Sequence, residues 1–221
     1  MESTRLKSRG DYEEGGSSLF GKPPGLVAVL IGNAVVLVAA VVQGAVYYSM
    51  LPDELPAHFD WQGKVDAYRS KAFMVGIYLA AVILAQALFI LLGHLLPSCS
   101  GGGAALQVPA REYWLNPAFP ERQERAFAYL KFWLMGFGMT FGAYLVLFFA
   151  IVFHMAYTGD HSGFFWFFWP LTIAYLVLVA FGVYSLYSHF LNEPIKEALI
   201  NYAEMGGSYE TFSTPSRIYY Q

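Results

Sequence analysis

The chain has 221 residues, 57% of them hydrophobic and only 13% charged, against about a quarter charged in an average soluble domain. Such a composition excludes a surface that meets only water, and the formal net charge of -3 excludes the basic footprint of a nucleic-acid binder. The lone cysteine, Cys99, excludes an intramolecular disulfide and any paired-cysteine metal or redox motif.

Residues 1–24 form a hydrophilic tail carrying Arg5, Lys7, Arg9 and Lys22. Four runs without Lys, Arg, Asp or Glu follow: Gly25 to Met50, Ala72 to Leu96, Phe132 to Tyr157 and Ser162 to Leu191. A helix needs about 20 apolar residues to cross the hydrocarbon core. Barrel strands instead alternate polar and apolar residues over about ten positions. The first run is too long, and begins too far into the chain, for a cleaved signal peptide. The expected fold is therefore all-α, a four-helix transmembrane bundle over 25–191, followed by an amphipathic segment and tail over 192–221. Within 192–221, Asn192 reads as a cap, Pro194 as a first-turn residue and Gly206 as a stop, giving a short helix lying on the membrane.

Orientation follows from the basic residues of short loops. The N-terminal tail, the middle loop (Arg111, Arg122, Arg125 and Lys131) and the C-terminal tail (Lys196, Arg217) hold ten of the 13 Lys and Arg residues, leaving Lys64, Arg69 and Lys71. Both termini are expected on the cytoplasmic side, with the loop after the first span on the outer face. Tyr47, Tyr48, Trp61, Tyr157 and the run Phe164 to Trp169 then mark the outer boundary, and Trp114, Trp133 and Tyr187 the inner one. Pro170 falls near the start of the fourth span, where it costs little. Gly138 and Gly142 form a GxxxG pair that lets another backbone approach. No ionisable group sits at mid-membrane depth, which disfavours a proton-coupled carrier; the amides Asn33, Gln43 and Gln86 read as interhelical hydrogen-bonding groups.

The first loop reads LPDELPAHFDWQGKVDAYRSK over residues 51–71. Pro52 and Pro56 favour extended geometry in the residues before them. Ala57 to Trp61 then runs extended, Gln62 and Gly63 reverse the chain, and Asp66 to Ser70 returns to the second span. Asp66 and Lys71 are placed to pair across the base of this structured outer loop. The stretch resembles the motif of the bacterial membrane family called domain of unknown function 1648, in the SdpI immunity-protein group: LP, a variable pair, IP, HF, then G, D and a closing SK. Leu51, Pro52, Pro56, His58, Phe59, Gly63, Asp66, Ser70 and Lys71 carry that resemblance. Asp60 stands where Asn is usual, and Ala67 and Arg69 replace small turn residues.

A second stretch, REYWLNPAFPERQERAF, is similar to a KDYWLAPERRAET-like segment of the same proteins, through Tyr113, Trp114, Leu115, Pro120, Glu121 and Arg122. The resemblance implies a bacterial inner (cytoplasmic) membrane protein, truncated to four spans where the SdpI type has six. It implies a recognition loop at His58, Phe59, Asp60, Gly63, Asp66 and Lys71, with an inner-loop motif at Tyr113, Trp114, Glu121 and Arg122.

Imidazole and carboxylate suit zinc, and His58, Asp60, His154, Asp160 and His161 share the outer face. Their spacing is not diagnostic, so no metal site is favoured, with His58, Asp60 and His161 as the weak candidates. GxSxG, HExxH, GxGxxG and GxxxxGK[ST] are all absent, so no enzyme and no cofactor is expected. The expected role is sensing or immunity, or else that of a structural accessory subunit in a larger membrane complex. The expected partners are membrane lipid and either a protein or a second copy, not nucleic acid.

Overall fold

A computed structural model describes residues 25–62, 64–99, 107–160 and 163–204, the side chains of 59, 96–99 and 202–204 excepted. The tail 1–24, Gly63, His161 and the segment from residue 205 lie outside the described residues, and with them the tail basic residues and the expected stop at Gly206. Each uncharged run becomes a helix: α1 (Leu26–Met50), α2 (Lys71–Cys99), α4 (Pro120–Thr158) and α5 (Phe164–Glu204), with a short α3 (Arg111–Trp114) before α4. Strands β1 (Glu54–Phe59) and β2 (Val65–Ser70) form an antiparallel hairpin between α1 and α2. The four long helices are long and apolar enough to cross a membrane, so the chain has the form of a multi-pass, mostly helical membrane protein.

The helices outrun the apolar runs. α4 begins at Pro120, whose missing N–H costs nothing at a helix start, and α5 continues through Asn192 and Pro194 to Glu204. The expected separate amphipathic helix is therefore corrected to an extension of α5. Asn192 does not cap; its Nδ2 donates to Ser188 Oγ at 2.8 Å. Pro194 is tolerated because the carbonyl it deprives of a helical N–H, four residues back at Phe190, accepts the Trp114 indole N–H at 2.9 Å. Trp114, expected at the inner membrane boundary, is instead only 2% exposed, packed with Ala126, Leu130 and Phe190. Pro170 lies near the start of α5, as expected, but inside the helix and past its first turn.

In lipid, helices associate through close packing and hydrogen bonds, because burying apolar area there gains little. On α1 the buried positions are Val29, Asn33, Ala40 and Gly44, one small or polar face, while Val27, Ile31, Val35, Val38 and Val42 are exposed. Asn33 Nδ2 donates to Met135 O on α4 at 3.1 Å and Gln43 Nε2 to Val146 O at 3.2 Å, so α1 is tied to α4 at two levels. Tyr78 on α2 donates its hydroxyl to Gln43 Oε1. The Gly138–Gly142 pair faces α2: a Cβ at Gly138 would lie 2.8 Å from Phe89 Cβ, and one at Gly142 would lie 2.6 Å from Gln86 Nε2 and 3.1 Å from Val36. Gln86, expected to hydrogen-bond across helices, fills the space that Gly142 leaves and finds no protein partner there.

The bundle is uneven. α1, α2 and α4 form a three-helix core, whereas α5 packs against α4. The α4–α5 seam is held by Trp133 Nε1 donating to Gly182 O at 2.9 Å, by Tyr144 and Thr172 at 3.2 Å, and by Tyr144 stacking on Tyr175.

Candidate functional site: the hairpin and the groove beneath it

The hairpin is anchored at its base. Leu51 leaves α1 in extended geometry, as the following proline favours. Leu55 is fully buried in the core formed by Met74, Val75, Tyr78, Val82 and Phe153, which fixes the first strand on the bundle. Lys71 N donates to Asp53 O at 2.9 Å, and Lys71 Nζ pairs with Asp53 Oδ1 at 3.0 Å. Ser70 caps α2, its hydroxyl accepting from Phe73 N at 3.3 Å. The expected Asp66–Lys71 pair is thus replaced by Asp53–Lys71. Asp53 precedes β1 and lies beside the start of α2, whereas Asp66 sits at the far end of β2.

At the tip, Asp60 Oδ1 accepts from Gln62 N at 2.9 Å and Lys64 N at 2.8 Å, while Asp60 N donates to Lys64 O. A side-chain carbonyl oxygen is all that this turn requires, so Asp and Asn serve equally. Asp60 is a turn residue, not a partner of His58.

The two strands slip register around His58. Pro56 pairs with Tyr68, His58 with Ala67 and Phe59 with Val65, which leaves Ala57 and Asp66 without ladder partners. Such bulges re-aim side chains; here Asp66 reaches His58, Oδ1 to Nδ1 2.5 Å apart, with the side chains 67% and 50% exposed. An exposed pair of this kind contributes no more than about 1 kcal/mol to stability.

Because α5 leans on α4 and not on α2, a groove opens between α2 and α5. Its volume is about 560 Å³. The floor is Phe148, Phe149 and Val152 of α4, and the walls are Phe73, Met74 and Ile77 on one side and Phe164 and Phe168 on the other. The hairpin roofs it with Pro56, Ala57, His58, Ala67 and Arg69. The aromatic run after residue 163 therefore divides: Phe164 and Phe168 stack on each other and face the groove, while Trp166, at 78% exposed, points away from the helices.

The inner-loop motif assembles at the opposite end. The Tyr113 hydroxyl donates to Glu197 Oε2, and Arg122 Nη2 pairs with Glu197 Oε1 at 2.6 Å. The Arg122 guanidinium also lies 4.3 Å from the Tyr113 ring and 4.1 Å from the Phe119 ring. Burial, and then the Glu197 carboxylate, push the Tyr113 hydroxyl up to about 12. Burial pushes the Glu197 carboxyl upward, but the hydrogen bonds from Tyr113 and Arg122 outweigh it and hold the group below its ordinary value. Trp114 and His189 complete the cluster, His189 stacking on Tyr129 at 3.7 Å. Glu121 stays exposed in the first turn of α4, where its charge suits the helix N-terminus. Sequence reasoning missed Glu197, which lies 84 residues from Tyr113; the one available signal was an acidic residue beyond the last apolar run, opposite an arginine-rich loop.

The two motifs do not meet. One is a lid at the hairpin end, the other a clamp on α5 at the loop end. Among the described residues no three His, Cys, Asp or Glu side chains gather to hold a metal ion. His58 is engaged with Asp66 and Asp60 with the turn, while Gly63 and His161 fall outside the description.

Residues 35–85 match the family described as Domain of unknown function (DUF1648). The match takes in most of α1, the whole hairpin and the first half of α2, so it coincides with the segment that builds the lid. No curated protein and no solved structure matches the chain.

Proposed function

We propose that this is a non-enzymatic protein of a bacterial cytoplasmic membrane, of sensing or immunity type, with both termini cytoplasmic and the hairpin on the outer face as its recognition element. The observation that carries this reading is the exposed His58–Asp66 pair, set on a hairpin whose base is fixed by Leu55 and by Asp53–Lys71. So exposed a pair adds little to stability, and an anchored hairpin holds it ready for contact. The distribution of basic residues supports the orientation, and the resemblance to the SdpI group supports the role.

The test is His58→Ala and Asp66→Ala in cells challenged with membrane-active peptides. Both variants are expected at undiminished levels in the membrane, because the pair contributes no more than about 1 kcal/mol, and both are expected to lose protection. Full protection by both variants overturns the reading. The second reading, an accessory subunit, draws on the exposed face of α5, where Ile173, Val177, Phe181 and Tyr184 line up without a covering helix. A fixed set of membrane partners recovered with the protein in mild detergent would favour it.

A further inference from the structure

We propose that the groove beneath the hairpin binds an anionic phospholipid drawn from the surrounding bilayer, with an acyl chain along the groove and the headgroup phosphate on Arg69. This rests on the recognition reading above, since it names what the inward side of the same hairpin receives.

The apolar lining covers about one turn on each helix, residues 73–77, 148–152 and 164–168, about 6 Å along the axes. Its deepest floor residue, Phe148, lies ten residues before the end of α4 at Thr158, about 15 Å down a helix axis, so the slot takes part of an acyl chain and leaves the rest to the bilayer. Its volume of about 560 Å³ lies within the range of ligand sites. The walls are Phe, Met, Ile and Val side chains, and the gap between α2 and α5 gives sideways access from the membrane.

Among the described residues, the polar side chains of the lining are His58 and Arg69, both in the roof, and Arg69 is the one Lys or Arg there. Arg69 pairs across the strands with the fully buried Leu55, which places it on the same face of the hairpin as that anchor, while the residue itself stays exposed and its guanidinium is open to an anionic partner at the mouth of the groove. Its guanidinium has one hydrogen bond among the described residues, to Tyr68 O at 3.1 Å; of the hairpin carboxylates, Asp53 is engaged with Lys71, Asp60 with turn amides and Asp66 with His58, and Glu54, the ladder partner of Ser70, alternates to the face opposite Leu55 and Arg69. A guanidinium at the mouth of an apolar slot open to the bilayer is complementary to a phosphate carrying an acyl chain.

The experiment is native mass spectrometry of the full chain in mild detergent, with equal amounts of phosphatidylglycerol and phosphatidylcholine bearing the same chains. One phosphatidylglycerol is expected to be retained about tenfold over phosphatidylcholine, which carries the same phosphate but sets its quaternary ammonium beside the guanidinium, a like-charge contact worth about 1 kcal/mol or more. Arg69→Gln is expected to abolish the preference and Arg69→Lys to keep most of it. Ile77→Trp, at an exposed wall position, is expected to reduce retention of both lipids at unchanged helicity. Equal retention of the two lipids, a preference that survives Arg69→Gln, or a protein dimer that Ile77→Trp dissolves overturns the proposal. The recognition reading is scored separately, by protection. Selective lipid retention alongside undiminished protection by His58→Ala and Asp66→Ala refutes recognition and leaves the lipid site standing; no selectivity alongside lost protection refutes the lipid alone.

Discussion

The exchange at Pro194 gives a double-variant cycle. In an unbroken helix the N–H of residue 194 would bond to the Phe190 carbonyl; proline lacks it, and the Trp114 indole N–H takes its place at 2.9 Å. Phe190 is fully buried, so its carbonyl has no water to turn to. Trp114→Phe keeps a ring in the cluster but strips the carbonyl of its donor, at a cost of about 1–3 kcal/mol beyond the loss of packing. In a Pro194→Ala background the helix supplies the missing N–H, and that part of the cost vanishes. The packing loss is common to both backgrounds and cancels, leaving a coupling of about 1–3 kcal/mol. The assay is reversible unfolding in mixed micelles by titration with a denaturing detergent, followed by far-ultraviolet circular dichroism, for all four proteins. A Trp114→Phe cost that is the same with Pro194 and with Ala at that position refutes the account, and the indole then holds α5 by packing alone.

Three further outcomes are expected. Glu197 has a lowered folded-state value, so its contribution is complete at neutral pH, above the unfolded value, and is lost as pH falls through the folded value below the ordinary glutamate range; Glu197→Gln should cost about 1–2 kcal/mol at pH 7 and flatten the acid limb of a stability profile between pH 7 and 3. Gly138→Leu brings a side chain into Phe89, 2.8 Å from the position of its Cβ, and should lower stability by about 1–3 kcal/mol, read in the same micelle titration. Gln86→Leu removes a buried amide that has no protein partner and should leave stability equal or raised by about 1 kcal/mol; a clear loss would mean that the amide is bonded.

The spans were legible because an uncharged stretch longer than the bilayer is thick has no other use, and the hairpin because Pro52, Pro56 and the polar turn punctuate its strands. Helix ends were not legible from the same runs. Absence of charge marks where a chain can enter lipid, whereas α4 and α5 run on past the uncharged stretches as charged helical turns, carrying Arg122 and Glu197 with them. The His58–Asp66 pair was hidden by the two bulges, since strict alternation along β1 and β2 gives no hint of a slip. The peripheral seat of α5 was equally hidden. A helix apolar on every side, with buried positions too sparse to draw a stripe, does not say which neighbour it will choose.

That seat bears on how a protein of this shape could report across a membrane. A reporting element must touch the site at the hairpin end, reach the clamp at the loop end and be able to move between them. α2 lines the groove but is packed into the three-helix core, and α4 lines it too but is hydrogen-bonded to α1 through Asn33 and Gln43 and filled against α2 at Gly138 and Gly142. α5 offers Phe164 and Phe168 to the groove and Glu197 to the Tyr113–Arg122 clamp, with its packing along the way provided by α4. An occupant that pushes on those two phenylalanines therefore acts on the least constrained long helix, and the clamp at Glu197 is where a shift of that helix would have to be absorbed or passed on. Under the recognition and lipid proposals above, the two ends have different tasks: selectivity would come from Arg69 and the exposed pair at the hairpin end and resistance from the clamp at the loop end, so weakening the clamp should alter the response without altering what binds.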